Sequence, residues 1–199
     1  MPRVSDEHLA ARRQQIMDAA RACFARNGFH ATSMHDVIAE AGLSTGAVYR
    51  YFKSKEDLVT AIAEEVITPI AKTVEQIVVT EPTPTLDEAV RRALTLLEPQ
   101  MRPGGMFPLA IQVWAEALRN PQLRAFLDRI FTMMRGHFVE LARRNQAIGR
   151  LPADADPFGV GSAVTALIPG YGLQRVLLGE PDIPTFLAGV RTLLGVERS

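Results

Sequence analysis

Apolar residues recur at helical spacing along most of this chain. Leu9, Ile16, Ala19, Ala20, Cys23 and Phe24 form one stripe over residues 6–27, and Asn27-Gly28 ends it. Phe29 then plugs a small core beneath the next two helices. Met34, Val37, Ile38 and Ala41 have the i, i+3, i+4, i+7 spacing of a second, short helix. Ser33 caps it, and Asp36 completes a capping box. Gly42 stands where that helix must stop and the backbone needs a positive φ. Ser44 caps a third helix. Its first turn, Thr45-Gly46-Ala47, is small, and its Val48, Tyr51 and Phe52 face inward. Helix, tight turn with glycine, helix is the helix-turn-helix pattern, whose second helix enters the DNA major groove by its N-terminal residues.

The same periodicity predicts six more helices. Ser54 and Asp57 open a fourth, with Leu58, Ile62, Val66, Ile70, Val74, Ile77 and Val78 on one side as far as residue 79. Pro69 should kink or break it, either as a relay of motion or as a static bend. Glu81-Pro82-Thr83-Pro84 reads as a rigid linker. Thr85 and Glu88 cap a fifth helix to residue 101, with Leu86, Val90, Ala93, Leu94 and Leu97 inward. Residues 102–105 form a loop. A sixth helix, 106–119, is apolar nearly all round, the mark of a central buried helix. Asn120-Pro121 reads as N-cap and first helical position of a seventh, running to residue 147. Its stripe is Leu123, Phe126, Leu127, Ile130, Phe131, Met134, Phe138 and Leu141. An eighth runs from Asp156-Pro157 to residue 178 with a break at Pro169-Gly170. A ninth, 182–195, carries Phe186, Leu187, Val190, Leu193 and Leu194. There is no strand pattern and no internal repeat. The fold class is all-α, with a three-helix head over 1–53 and a helical body over 54–199.

Composition narrows this picture. A chain of 199 residues with 47% hydrophobic content can bury a real core. One cysteine, Cys23, forbids an internal disulfide and fits a reducing compartment; on the apolar stripe it reads as a small buried residue. The N-terminus has no apolar leader, and no apolar run reaches the roughly 18 residues of a membrane span, so a cytoplasmic protein without a membrane partner is expected. The net charge is zero, but it is uneven. Residues 1–55 hold eight Lys/Arg against five Asp/Glu, a net +3, and the rest holds 14 against 17, a net −3. A basic head on an acidic body suits a DNA-binding domain joined to something else.

Catalytic and metal motifs are missing: no P-loop, G-x-G-x-x-G, G-x-S-x-G or H-E-x-x-H, and no Cys/His metal spacing. The histidines, His8, His30, His35 and His137, are scattered, and His30 and His35 straddle a helix boundary. No enzyme, cofactor or metal is expected.

Residues 27–58 resemble the tetracycline-repressor-like (TetR) family of bacterial regulators. Asn27-Gly28-Phe29, Ala31-Thr32-Ser33, Ile38-Ala39, Ala41-Gly42-Leu43-Ser44, Gly46, Val48-Tyr49, Tyr51-Phe52, Lys53, Lys55 and Leu58 carry the resemblance. It implies a homodimeric transcriptional regulator, most simply a repressor. Each subunit would bring a three-helix DNA-binding head and a ligand-binding, dimerising body whose last two long helices pair with their copies. A small molecule entering the body would shift the heads and release a palindromic, double-stranded operator.

Phosphate contacts supply non-specific affinity and base edges supply specificity. Ser33 and Ser44 sit at helix N-termini, as plain caps or as caps that also meet a phosphate. Tyr49 is exposed if Val48 and Phe52 face inward, and its hydroxyl can reach a phosphate, where the resemblance also places it. Lys53 and Lys55 follow the reading helix and would flank the duplex. Thr45, Gly46, Ala47 and Arg50 are the candidate base readers. Arg50 is the side chain that could read guanine with two hydrogen bonds, its alternative being an ion pair on the back of the head. With so few polar readers, DNA shape would carry part of the specificity.

In the body, Met101, Met106, Phe107, Trp114, Phe131, Met134, Phe138 and Tyr171 either fill the core or line an apolar pocket. Gln112, Glu116, His137 and Gln174 are its candidate polar handles, and the expected effector is a mostly hydrophobic molecule. Phe158, Val160, Val164, Leu167, Leu177, Phe186, Val190 and Leu193 are the candidates for the homodimer interface. Gly159, Gly161 and Gly189 either let helices approach closely or are incidental. The rival readings are a DNA-binding regulator with no small ligand, acting through a protein partner or as an architectural factor, and an activator instead of a repressor.

Overall fold

Gly28 sets the first boundary. In the structure, a computed structural model that describes residues 6–102 and 104–193, helix α1 spans Asp6–Ala31, but Gly28 within it has φ 78 and ψ 167. The helical run ends there, as the Asn27-Gly28 pair predicts, and one further turn follows. Helix α2 is Met34–Ala41 and α3 is Thr45–Tyr51. Both ends of α2 follow local chemistry. Ser33 and Asp36 form the reciprocal capping box, and Gly42 at φ 64 takes the left-handed C-cap.

The remaining helices are α4 Lys55–Val79, α5 Leu86–Met101, α6 Phe107–Ala117, α7 Pro121–Ala147, α8 Pro157–Leu178 and α9 Ile183–Leu193. Among the described residues the architecture is all-helical, with nine helices. Of the expected ninth helix, Leu194 and Gly195 lie outside the described residues, as does Pro103 of the expected loop.

Neither expected break occurs. α4 runs through Pro69, and α8 runs through Pro169-Gly170. A proline removes one N–H and crowds one carbonyl. Pro69 is exposed, so water can serve the freed Glu65 carbonyl. Around Pro169, burial of Val164, Ile168, Tyr171 and Gly172 outweighs one lost bond. The expectation for α6 also needs correction. It buries one side only, through Phe107, Leu109, Val113 and Ala117, and Leu118 just beyond it is 83% exposed.

The chain divides into two compact units. One holds the residues up to Val66 together with Leu109–Phe126, and so extends beyond the expected 1–53. Its core gathers Ile16, Met17, Ala20, Cys23, Phe29, Val37, Val48, Leu58 and Ile62. The other holds Ile67–Pro108 and the chain from Leu127 onward. There α5 packs on α8 and α9. α7 and α8 approach closely at Gly161, where a Cβ would stand 2.7 Å from the backbone nitrogen of Val139. The ring of Phe107 occupies the space beside Gly172. Asn145, buried, donates to the Pro84 and Leu141 carbonyls at 3.0 Å each. Among the described residues no helix is long and apolar enough to cross a membrane.

Candidate nucleic-acid interface

The reading helix is short, so its placement depends on what grips its ends. A seven-residue helix has too few internal hydrogen bonds to stand alone. Ser44 caps its start, accepting from the Ala47 amide at 3.3 Å. Val48, fully buried, pins its middle, and Phe52, 3% exposed, closes its end in an extended conformation. Arg13 of α1 lies over the Phe52 ring, 5.3 Å from its centroid. Gln15, also on α1, donates to the last α2 carbonyl, Ala41, at 2.9 Å. One long helix therefore steadies both short ones.

At the start of α2, the Ser33 hydroxyl donates to Asp36 at 2.7 Å and the Ser33 amide donates to the same carboxylate at 2.8 Å. These bonds hold the Asp36 carboxyl below the usual carboxylate range. Behind the motif, burial, and then the charge of Glu40, pushes the Cys23 thiol up. That leaves Cys23 an inert core residue, as expected.

The outward face carries the sequence-nominated residues together. Ser33, Ser44, Thr45, Gly46, Tyr49, Arg50 and Lys53 are exposed, and Ala47 is half-buried. Arg50 has no ion-pair partner among the described residues. Lys53 donates its ammonium to the Tyr49 carbonyl at the end of α3, which makes it a helix C-terminal cation. Lys55, expected to flank a duplex, is instead engaged within the head. Its ammonium donates to the carbonyls of Phe29, His30 and Thr32 at 3.1, 3.2 and 3.3 Å. It also sits 4.6 Å above the Phe29 ring. Three donors on three carbonyls leave none for a phosphate.

Gly46 stands apart. It lies in the first turn of α3, and a Cβ built there meets nothing within 4 Å. Glycine inside a helix costs roughly 0.5–1 kcal/mol relative to alanine. Nothing among the described residues requires that cost.

The expected effector set is split. Gln112, Trp114 and Glu116 belong to the unit of the head, and Met106, Phe107, Phe131, Met134, His137, Phe138, Tyr171 and Gln174 to the other. The Oε1 of Gln112 is engaged within the head, accepting from the Phe29 amide at 2.8 Å. Trp114 and Glu116 are half-buried. In the second unit Phe107, Phe138 and Tyr171 are core, Met106, Met134 and His137 are half-buried, and Phe131 and Gln174 are exposed. Gln174 turns back to the Gly170 carbonyl at 3.4 Å, within an unbroken α8.

Tyr171 anchors a small polar group. Its hydroxyl donates to Glu98 at 3.2 Å, and Arg175 meets the other Glu98 oxygen at 3.2 Å. Burial, and then the Glu98 charge, pushes the Tyr171 phenol up to about 12.

The candidate dimer residues also divide. Phe158, Leu177 and Leu193 are exposed, at 54%, 67% and 86%. Val164 and Val190 are buried within the chain, because α9 packs back on α5, and Phe186 turns inward against the Tyr171 ring at 5.0 Å. Val160, Val164, Leu167, Val190 and Leu193 join Leu86 and Val90 around an apolar hollow of about 230 Å³ between α5, α8 and α9. Asp87 stands at its wall, bonded to Arg191 at 2.7 Å. Burial would raise the Asp87 carboxyl, but the Thr85 hydroxyl and Arg191 prevail and hold it low.

Sequence reasoning missed Arg13, Gln15 and Gln122 and did not foresee the Phe29 partner of Gln112. Each meets a partner set by tertiary packing, so no local pattern marks it.

Comparison with known proteins places this geometry. Residues 16–62 match the model of bacterial regulatory proteins of the tetR family, and residues 82–194 match the C-terminal domain of BetI-type transcriptional repressors. The uncharacterized regulator YfiR of Bacillus subtilis is 30% identical over 148 residues, 72% of this chain and 69% of its own. The regulator UidR of Escherichia coli is 28% identical over 190 residues, 92% of this chain and 91% of its own. Over 65 residues, identity to the Mycobacterium tuberculosis repressor Rv1474c is 45%, covering 33% of this chain and 35% of that protein. Among solved structures, Salmonella enterica GusR superposes with a TM-score of 0.74 at 24% identity, covering 96% of each chain. A Saccharomonospora viridis regulator in complex with choline superposes with a TM-score of 0.73 at 21% identity, covering 95% of this chain and all of that one. Matched in head and body alike, the chain belongs to the TetR family of bacterial transcriptional regulators and is not an enzyme.

Proposed function

We propose that this regulator is a repressor that reads a palindromic operator as a homodimer and is released by a small, mostly hydrophobic molecule. Gly46 is the observation that carries the reading surface. Gly136, Gly170 and Gly189 are equally unpacked, but Gly46 alone of the four lies in the first turn of α3, where a missing side chain suits the close approach of a duplex. Around it, Thr45 and Ala47 offer small contacts, Arg50 offers a bidentate guanine contact, and Tyr49 with Ser33 and Ser44 faces the phosphates. Two such heads fit half-sites roughly one helical turn, about 34–36 Å, apart.

The dimer reading rests on Phe158, Leu177 and Leu193, large apolar side chains that α8 and α9 leave uncovered. Effector character rests on composition. The hollow beside α9 is apolar apart from Asp87, and Asp87 and Glu98 are each matched by an arginine. A cationic headgroup therefore meets no spare carboxylate at either place, which favours an apolar molecule over one like choline. The rival, a regulator without a small ligand, draws on Phe107, Phe138 and Tyr171, which are buried in the core, the first of the two readings given for them.

The test begins by selecting duplexes from a random pool with the wild-type protein. Two protected half-sites per bound protein pair support the reading, and tight binding of a monomer to one half-site overturns the dimer. Gly46→Ala should raise stability by about 0.5–1 kcal/mol in urea titrations while weakening binding to the selected duplex. Tighter or unchanged binding would remove the close-approach argument. A thermal-shift screen of lipophilic compounds, followed by duplex release, decides between effector control and its rival.

A further inference from the structure

The helix-turn-helix is bracketed by two backbone amides that regular helix geometry does not serve. Phe29 N–H follows Gly28, whose backbone leaves the helical region. Lys53 N–H follows Phe52, the extended end of α3. Each amide is answered by a side chain. Gln112 Oε1 accepts from Phe29 at 2.8 Å, and Asp57 Oδ2 accepts from Lys53 at 3.0 Å. The other Asp57 oxygen is held by Gln122 Nε2 at 2.8 Å, and Asn120 Nδ2 reaches Glu56 at 3.4 Å. All three amide side chains come from Leu109–Phe126, the distant segment that belongs to the compact unit of the head. The fit at the first bracket is close: a Cβ on Gly28 would stand 2.8 Å from Gln112 Oε1. Gly28 thus serves both its φ of +78° and the approach of this glutamine.

We infer that Gln112, with Gln122 acting through Asp57, positions the reading helix and so supports operator specificity without touching DNA. Base-edge contacts require the protein groups to sit within about 0.5 Å of their productive geometry, whereas phosphate contacts by long cationic side chains tolerate more. Releasing either bracket lets α2 and α3 shift on α1. The specific contacts weaken first and the non-specific ones little. The inference rests on DNA binding by the head and on no effector.

The experiment compares Gln112→Met, which keeps the shape and removes the acceptor, with Gln112→Glu, which keeps an acceptor. Each full-length variant is titrated with a duplex selected by the wild-type protein and with a scrambled duplex of equal length. Gln112→Met should bind the selected duplex about tenfold more weakly and the scrambled one within about twofold, with Gln112→Glu near wild type on both. Hydrogen exchange at the Phe29 amide should quicken in Gln112→Met alone. An unchanged specificity ratio, an equal loss on both duplexes, or a Gln112→Glu protein as impaired as Gln112→Met would overturn the inference. Should Gln112→Met not fold, Gln122→Met makes the same comparison at the other bracket, and a wild-type ratio there overturns it. If the wild-type protein selects no duplex at all, DNA binding by the head fails instead.

Discussion

The head and the α5–α8–α9 group satisfy their polar atoms in different ways. In the head, beside ion pairs such as Arg21 with Glu65 and Arg26 with Glu40, many side chains answer the backbone: Gln15 serves Ala41, Gln112 serves Phe29, Asp57 serves Lys53, and Lys55 serves three carbonyls. Between α5, α8 and α9, side chains answer one another: Arg191 meets Asp87, and Arg175 and Tyr171 meet Glu98. The first arrangement fixes where short helices point, as a reading surface requires. The second fixes which helices stay together, and its strength depends on charge. Geometry is specified in one place and cohesion in the other.

The largest break in that contrast comes from the head's core. Phe29 is 1% exposed and carries both the Lys55 cation and the Gln112 bond. Phe29→Ala should cost about 3–5 kcal/mol in urea unfolding, with loss of duplex binding. A cost below about 1 kcal/mol would show that the head does not depend on this residue. The matching break in the second unit is Gly161→Ala, which forces a Cβ against the Val139 backbone. It should cost about 1–3 kcal/mol by overpacking while leaving intrinsic duplex affinity intact. Equal loss of binding at full folding would mean that the division of labour is false.

Arg50→Ala sharpens the comparison in the other direction. An exposed arginine with no ion-pair partner among the described residues should leave the melting temperature unchanged. It should cost about 1–3 kcal/mol at one base position, read by binding to single-substituted duplexes. Uniform weakening across all of them would reduce Arg50 to a phosphate contact. The smallest effect is the titration of Tyr171. Its phenol is pushed from 10 to about 12, so the neutral form is favoured in the folded state. That stabilisation is complete below pH 10 and is lost as pH rises from 10 towards 12. The urea midpoint of the wild type should fall across that window, and Tyr171→Phe should flatten the fall.

Legibility in the sequence divides along the same line. Ser33 with Asp36, Gly42, Ser44 and Asn120-Pro121 act within four residues of themselves, and the structure places each as read. The outward face of α3 followed from Val48 and Phe52 turning inward. Long-range partners were not legible. Gln112 looked like a polar intruder on an apolar helix, yet its partner lies 83 positions away. Lys55 looked like a phosphate contact until three carbonyls claimed it. Pro169 looked like a break because local rules count the bond a proline removes and not the packing on either side. Phe186 and Val190 looked free to meet a second subunit, because the pattern of α9 alone cannot say that α5 covers it.

The chain passes between its two units at three points, after Val66, after Pro108 and after Phe126. A chimaera that joins this head to a relative's body by a single splice after the helix-turn-helix would leave Gln112 and Gln122 behind. The transplanted head would meet a foreign segment at both bracketing amides. Exchange of operator preference between relatives therefore calls for two inserts, the N-terminal stretch and Leu109–Phe126, moved as a matched pair.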